Sequence, residues 1–154
     1  MRLRERCDPV CGERLFEGTT ARGLAVKVMP RDSVTRSCAQ LSIDYGSVDR
    51  RFIPHGRARP VTVPAGIAHF LEHKMFEKER GDPFNEFSRL GASANAMTGH
   101  LTTSYVFSAS GHFDACLDTL LELVFEPHFT DALVEKEHGI IDEEIRGYDD
   151  SAGW

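Results

Sequence analysis

Over residues 23–30, Leu24, Val26 and Val28 alternate with Ala25, Lys27 and Met29. That period of two predicts a strand. A partner strand is predicted over 13–18, joined to it by the turn Gly18-Thr19-Thr20-Ala21-Arg22-Gly23. Alternation returns over 37–45, where Leu41, Ile43 and Tyr45 share one face. Residues 46–62 carry Gly, Pro and Arg without periodicity and read as a surface loop. Pro64 suits the first turn of a helix, which is predicted to reach about Glu79 and stop before Gly81. Asp82-Pro83 opens a shorter helix through Leu90, ended by Gly91. A strand pair is predicted over 92–98 and 102–110, around Thr98-Gly99-His100-Leu101. From Phe113 to Val124, the residues Phe113, Cys116, Leu117, Leu120, Leu121 and Val124 recur at helical spacing, and Pro127 ends the run. Thr130 is a fair N-cap for a last helix reaching about Gly147. Strands, helix, strands and then two helices predict an α+β fold with a mainly antiparallel sheet packed with helices.

Composition narrows this picture. The 154 residues suffice for one domain with a real core and are too few for two of ordinary size, so 1–154 is read as a single domain. Apolar residues at 41% and charged residues at 27% fit a soluble globular chain. A net charge of −6 argues against nucleic acid as a partner. The basic clusters Arg50-Arg51 and His55-Gly56-Arg57-Ala58-Arg59 read as solvated loop. No apolar run approaches a membrane span or follows the N-terminus as a secretory signal would. Cys7, Cys11, Cys38 and Cys116 do not make a cystine-stapled composition, so the thiols are read as reduced and the compartment as cytoplasmic. Cys7 and Cys11 are spaced C-x3-C without a second pair, which supports a zinc knuckle only weakly.

The segment Gly66-Ile67-Ala68-His69-Phe70-Leu71-Glu72-His73 contains H-x-x-E-H. Helical residues four apart share a face, so His69 and His73 can offer two imidazoles to one metal ion. Glu72 borders the same face. The pattern is the inverse of H-E-x-x-H, in which two histidines hold zinc and the glutamate is a base. The competing arrangement leaves the three side chains merely facing solvent. Against it stand Ile67, Ala68, Phe70, Leu71 and Met75, which make the rest of the helix apolar. Such a helix tends to be buried, and buried imidazoles and carboxylates need partners.

A catalytic zinc takes three protein ligands and keeps a position open. In the last predicted helix, Glu137 and Glu144 fall within about 20° of each other at about 100° per residue. Leu133, Val134, Ile140, Ile141, Ile145 and Tyr148 lie within about 80° of Glu137 on the same arithmetic. Two carboxylates in an apolar stripe need a cation, which can be a metal or an Arg or Lys from another element.

Together, "GIAHFLEHKMFEKERGDPFNEFSRLGASANAMT" and "VEKEHGIIDEEIRGYDD" resemble the insulinase/pitrilysin/mitochondrial processing peptidase family of zinc metallopeptidases, in particular its bacterial insulinase-like members. The resemblance runs from about Leu15 to Asp150. It implies the LuxS/mitochondrial-processing-peptidase-like type of fold and one Zn2+ per domain, held by His69, His73 and Glu144. Glu72 would act as general base on a zinc-activated water, and Glu137 would support the ligands from behind. Asn95 and Ala96 would lie on a sheet edge to which an extended peptide or unfolded polypeptide substrate adds as a strand. The tail Asp149-Asp150-Ser151-Ala152-Gly153-Trp154 departs from the family's acid-Pro pattern. Family members also continue through further homologous domains that close over the substrate and supply a tyrosine and an arginine. The expected partner is therefore a C-terminal half or a homologous subunit.

Two other functions compete with a zinc-dependent metalloendopeptidase. The domain could bind peptide yet be catalytically incomplete without its other half. Alternatively, small metal-dependent lyases carry H-x-x-E-H on a related fold, where a cysteine completes the metal site. Here that would fall to Cys116, whose place beside Phe113, Leu117 and Leu120 favours a core role.

Overall fold

The computed structural model describes residues 1–135, which fall into two compact units, Met1–Thr35 and a second from Arg36 onward. The first is an antiparallel sheet of β1 (Arg4–Cys7), β2 (Arg14–Thr19) and β3 (Ala25–Val28), in that order. β2 and β3 fall where the two strands were predicted, but the one-sided burial expected from the alternation in β3 is not seen: of its residues Val26 alone is half-buried, while Ala25, Lys27 and Val28 are exposed. β1 was not predicted, because its sequence Arg-Glu-Arg-Cys has no apolar row and all four residues are exposed. Cross-strand charge pairs accompany its ladder: Arg6 with Glu17 at 3.3 Å and Arg14 with Glu5 at 2.7 Å. Asp8 closes the hairpin by accepting from the N–H groups of Val10 and Cys11, both at 2.9 Å. Those bonds hold its carboxyl below the ordinary range.

The second unit is built on an antiparallel sheet ordered β4 (Ser37–Ile43), β8 (Thr103–Ala109), β7 (Ala92–Thr98). β8 is central and almost wholly buried. Three helices, α1 (Ile67–Met75), α2 (Pro83–Arg89) and α3 (Phe113–Phe125), pack with it. The core gathers Met75, Phe87, Tyr105, Phe107, Cys116, Leu120 and Leu123, one or more from each of α1, α2, β8 and α3. The described elements are thus α+β with antiparallel pairing, as the pattern predicted.

Two expectations are corrected. Residues 46–62 are not wholly loop, since β5 (Arg51–Phe52) pairs with β6 (Val61–Thr62). Two-residue strands are too short to show a period, and this pair is supported by Phe52 meeting Tyr45 edge-on at 5.3 Å. The helix expected from Pro64 to Glu79 is α1, Ile67–Met75. Gly66, at φ 84°, takes a left-handed conformation that cannot continue the helix backward. At the other end, the N–H groups of Phe76 and Glu77 bond back only three residues, to His73 and Lys74. The turn tightens, and Phe76 stacks on Phe84 of α2 at 4.5 Å. α2 starts as predicted: the Asp82 side chain accepts from the Phe84 N–H at 2.8 Å, with Pro83 in the first turn.

Candidate metal centre

α1 places the histidine pair. None of its nine residues is exposed, and Ala68, Glu72, Lys74 and Met75 are buried. The apolar surround that the sequence suggested is therefore present. His69 and His73 lie one turn apart with ring centroids 4.5 Å apart and planes at 88°. The two imidazoles are thus side by side on one helical face.

Glu72 is only 9% exposed. A carboxylate so deeply set needs a donor, and Thr98 provides one: its hydroxyl donates to Glu72 Oε2 at 2.7 Å. Thr98 is the last residue of β7, so the strand and the helix meet at this bond. The Tyr105 phenol is buried in the core, and burial, with the negative charge of Glu72 adding, pushes its pKa far above the ordinary value.

β7 pairs with β8 on one side, and among the described residues nothing pairs with the other. Asn95 and Ala96 both lie on this strand. Ser93, Asn95 and Met97 are exposed, while Ala92, Ala94, Ala96 and Thr98 are half-buried. The Asn95 side chain accepts from the Ala96 N–H at 2.9 Å.

Glu137 and Glu144 lie outside the described residues, so their placement is not part of this geometry. The chain leading to them is described as far as residue 135, and 131–135 are helical. Thr130 caps this start, as predicted: its Oγ1 accepts from the Leu133 N–H at 3.3 Å, and its carbonyl from the Val134 N–H at 3.0 Å. Lys74, wholly buried beside His73, donates to the Leu133 carbonyl at 2.9 Å and pairs with Glu77. The start of this helical segment is thereby tied to the histidine helix. Among the described residues, no three His, Cys, Asp or Glu side chains form a group able to hold a metal ion. The donor chemistry nevertheless fits zinc, because two paired imidazoles next to a buried carboxylate are its usual nitrogen and oxygen partners.

Cys116 belongs to the core, where burial raises its thiol pKa. A thiol must ionise to bind a metal, so this environment opposes a ligand role. All four cysteines are free.

Residues 52–152 match the family model described as Insulinase (Peptidase family M16). This chain belongs to the insulinase family, M16. It is 47% identical over 142 residues to the uncharacterized zinc protease YmfH of Bacillus subtilis, covering 92% of this chain and 33% of that protein. It is 28% identical over 130 residues to human insulin-degrading enzyme, covering 80% of this chain and 12% of the enzyme. Among solved structures, an M16-like peptidase from Alicyclobacillus acidocaldarius superposes with a TM-score of 0.83 at 39% identity, over 97% of this chain and 33% of that one. Pitrilysin superposes with a TM-score of 0.69 at 18% identity, over 93% and 15% of the respective chains, a likeness of fold. The chain thus spans about a third of the length of YmfH.

Sequence reasoning about this M16 domain missed Thr98 and Lys74. Thr98 carried a readable signal. It continues the small inward row Ala92, Ala94, Ala96 with the one side chain in that row able to donate a hydrogen bond. Lys74 carried the opposite signal, because a lysine is almost never fully buried unless paired.

Proposed function

We propose that this chain is the zinc-binding, catalytic part of a metalloendopeptidase that hydrolyses peptide bonds. One observation carries the reading: a buried carboxylate beside two stacked-turn imidazoles touches the strand whose outer side is open among the described residues. Glu72, next to His73 on α1, is thereby bonded to the last residue of the strand that an extended peptide would join. Membership of the insulinase family and likeness to named zinc proteases support the peptidase class.

His69 and His73 would hold zinc, with Glu144 as third ligand and Glu137 supporting the set. Zinc, when bound, supplies a Lewis acid for the scissile carbonyl and acidifies water toward neutrality. Glu72 takes the proton of the attacking water and delivers it to the leaving amine. Asn95 and Ala96 align the substrate backbone by strand addition.

Glu72→Gln is expected to keep stoichiometric zinc while peptide cleavage falls roughly 100- to 10,000-fold, the usual worth of a positioned base. Retained cleavage in that variant would remove Glu72 from the role. His73→Phe and Glu144→Gln are each expected to lower zinc content, read by metal analysis after dialysis. Full occupancy in both would sink the ligand set.

The span of a third of YmfH favours a second reading for the chain in isolation, that of a peptide-binding domain catalytically incomplete without the remaining length. Cleavage assays of the chain alone and of the full-length protein separate the two.

A further inference from the structure

We propose that Thr98 is a positioning residue that fixes which oxygen of Glu72 takes up the proton; this rests on the reading of Glu72 as the general base. Thr98 ends β7 and faces the same half-buried side as Ala92, Ala94 and Ala96. Directly across the ladder stands Thr103, on β8. The Thr103 hydroxyl donates to the Tyr45 carbonyl at 2.9 Å, so its one proton is committed. Thr103 Oγ1 lies 3.5 Å from Thr98 Oγ1 and can only accept from it. The Thr98 proton thus has two acceptors to choose between, a neutral hydroxyl at 3.5 Å and the Glu72 carboxylate at 2.7 Å. The shorter, charge-assisted bond wins.

Thr98 is β-branched and anchored in a paired strand, so its χ1 is stiff and its hydroxyl is held in place. The bond occupies Oε2 and leaves Oε1 as the oxygen free to act on a water molecule. By taking the Thr103 proton, the Tyr45 carbonyl leaves Thr98 as the hydroxyl that donates to Glu72. Because Thr98 lies on the strand proposed to align the substrate, one short segment would orient both the base and the peptide.

The test compares Thr98→Val, which keeps the shape and removes the donor, with Thr98→Ser, which keeps the donor. Both are made in the full-length protein beside Glu72→Gln. For the valine variant, kcat is expected to fall about tenfold, less than the roughly 100-fold or more that a positioned base is worth, with KM and zinc content unchanged. The serine variant should recover most of the lost turnover. A crystal structure of metal-free Thr98→Val should show the Glu72 carboxylate rotated from its parental position. Parental kcat in the valine variant, an equal loss in the serine variant, a change confined to KM or an unmoved carboxylate overturns the inference. If Glu72→Gln is inactive while Thr98→Val matches the parent, only the role of Thr98 falls. If Glu72→Gln remains active, the base reading falls and this inference falls with it.

Discussion

A glutamate that is only 9% exposed costs free energy unless a donor meets its carboxylate, and for Glu72 that donor is the hydroxyl of Thr98. The same accounting applies to Lys74, whose ammonium reaches Glu77 and the Leu133 carbonyl. Both buried charged groups of α1 are thus satisfied by elements outside the helix or just beyond its end. Gly46 raises a steric question instead. A Cβ built there would stand 2.3 Å from the His100 carbonyl oxygen and 2.5 Å from the Leu101 nitrogen. Backbone cannot step aside as a flexible side chain would. Gly46→Ala is therefore expected to lower the unfolding free energy by about 1–3 kcal/mol, the usual range for overpacking, read from the urea midpoint. An unchanged midpoint would show that the loop around His100 yields freely.

At the level of elements, Lys74 links α1 to the helical residues 131–135 through one hydrogen bond to Leu133. Lys74→Met keeps the length of the side chain and leaves Glu77 and that carbonyl without the ammonium. Removing one partner of a buried pair costs about 3–5 kcal/mol, and the 20% exposure of Glu77 puts this site near the lower end, about 3 kcal/mol. A loss below about 0.5 kcal/mol, the range of ordinary surface substitutions, would mean that water replaces the ammonium easily. Legibility from sequence varied element by element for physical reasons. α2 was readable at both ends because Asp82, Pro83 and Gly91 are local signals that need no tertiary context. β7, β8 and α3 were readable because each buries one face against the same core. β1 was not, since its four residues are all exposed and it joins the sheet by backbone pairing with β2 rather than by an apolar row. The start of α1 was misjudged because Gly66 takes a left-handed conformation, and its end because the turn after it packs Phe76 on Phe84, a contact between different elements. The H-x-x-E-H face was legible as helical spacing alone; the partner of Glu72 was not, because β7 lies 26 residues away.

For the whole molecule, the controlling fact is one of proportion. The chain spans 33% of YmfH and 12% of human insulin-degrading enzyme, so two thirds or more of those relatives lies outside the aligned region. The described part brings together the imidazole pair, the buried carboxylate and a strand open on one side, and in the proposed function these bind the metal, move the proton and receive the peptide. Holding a peptide in the reactive position is a separate requirement. A misplacement of about 1 Å costs roughly 100-fold in rate. An open edge strand constrains a bound peptide along one side only. The 154-residue chain alone is therefore expected to bind zinc with its histidine pair yet to cleave a reporter peptide roughly 100-fold more slowly than the full-length protein. Zinc content by metal analysis and chelator-sensitive turnover, measured on both forms at equal active-site concentration, check this. Equal turnover would show that the remaining length contributes nothing to positioning the peptide. Failure of the short form to retain zinc would show instead that the ligand set needs support from the residues beyond it.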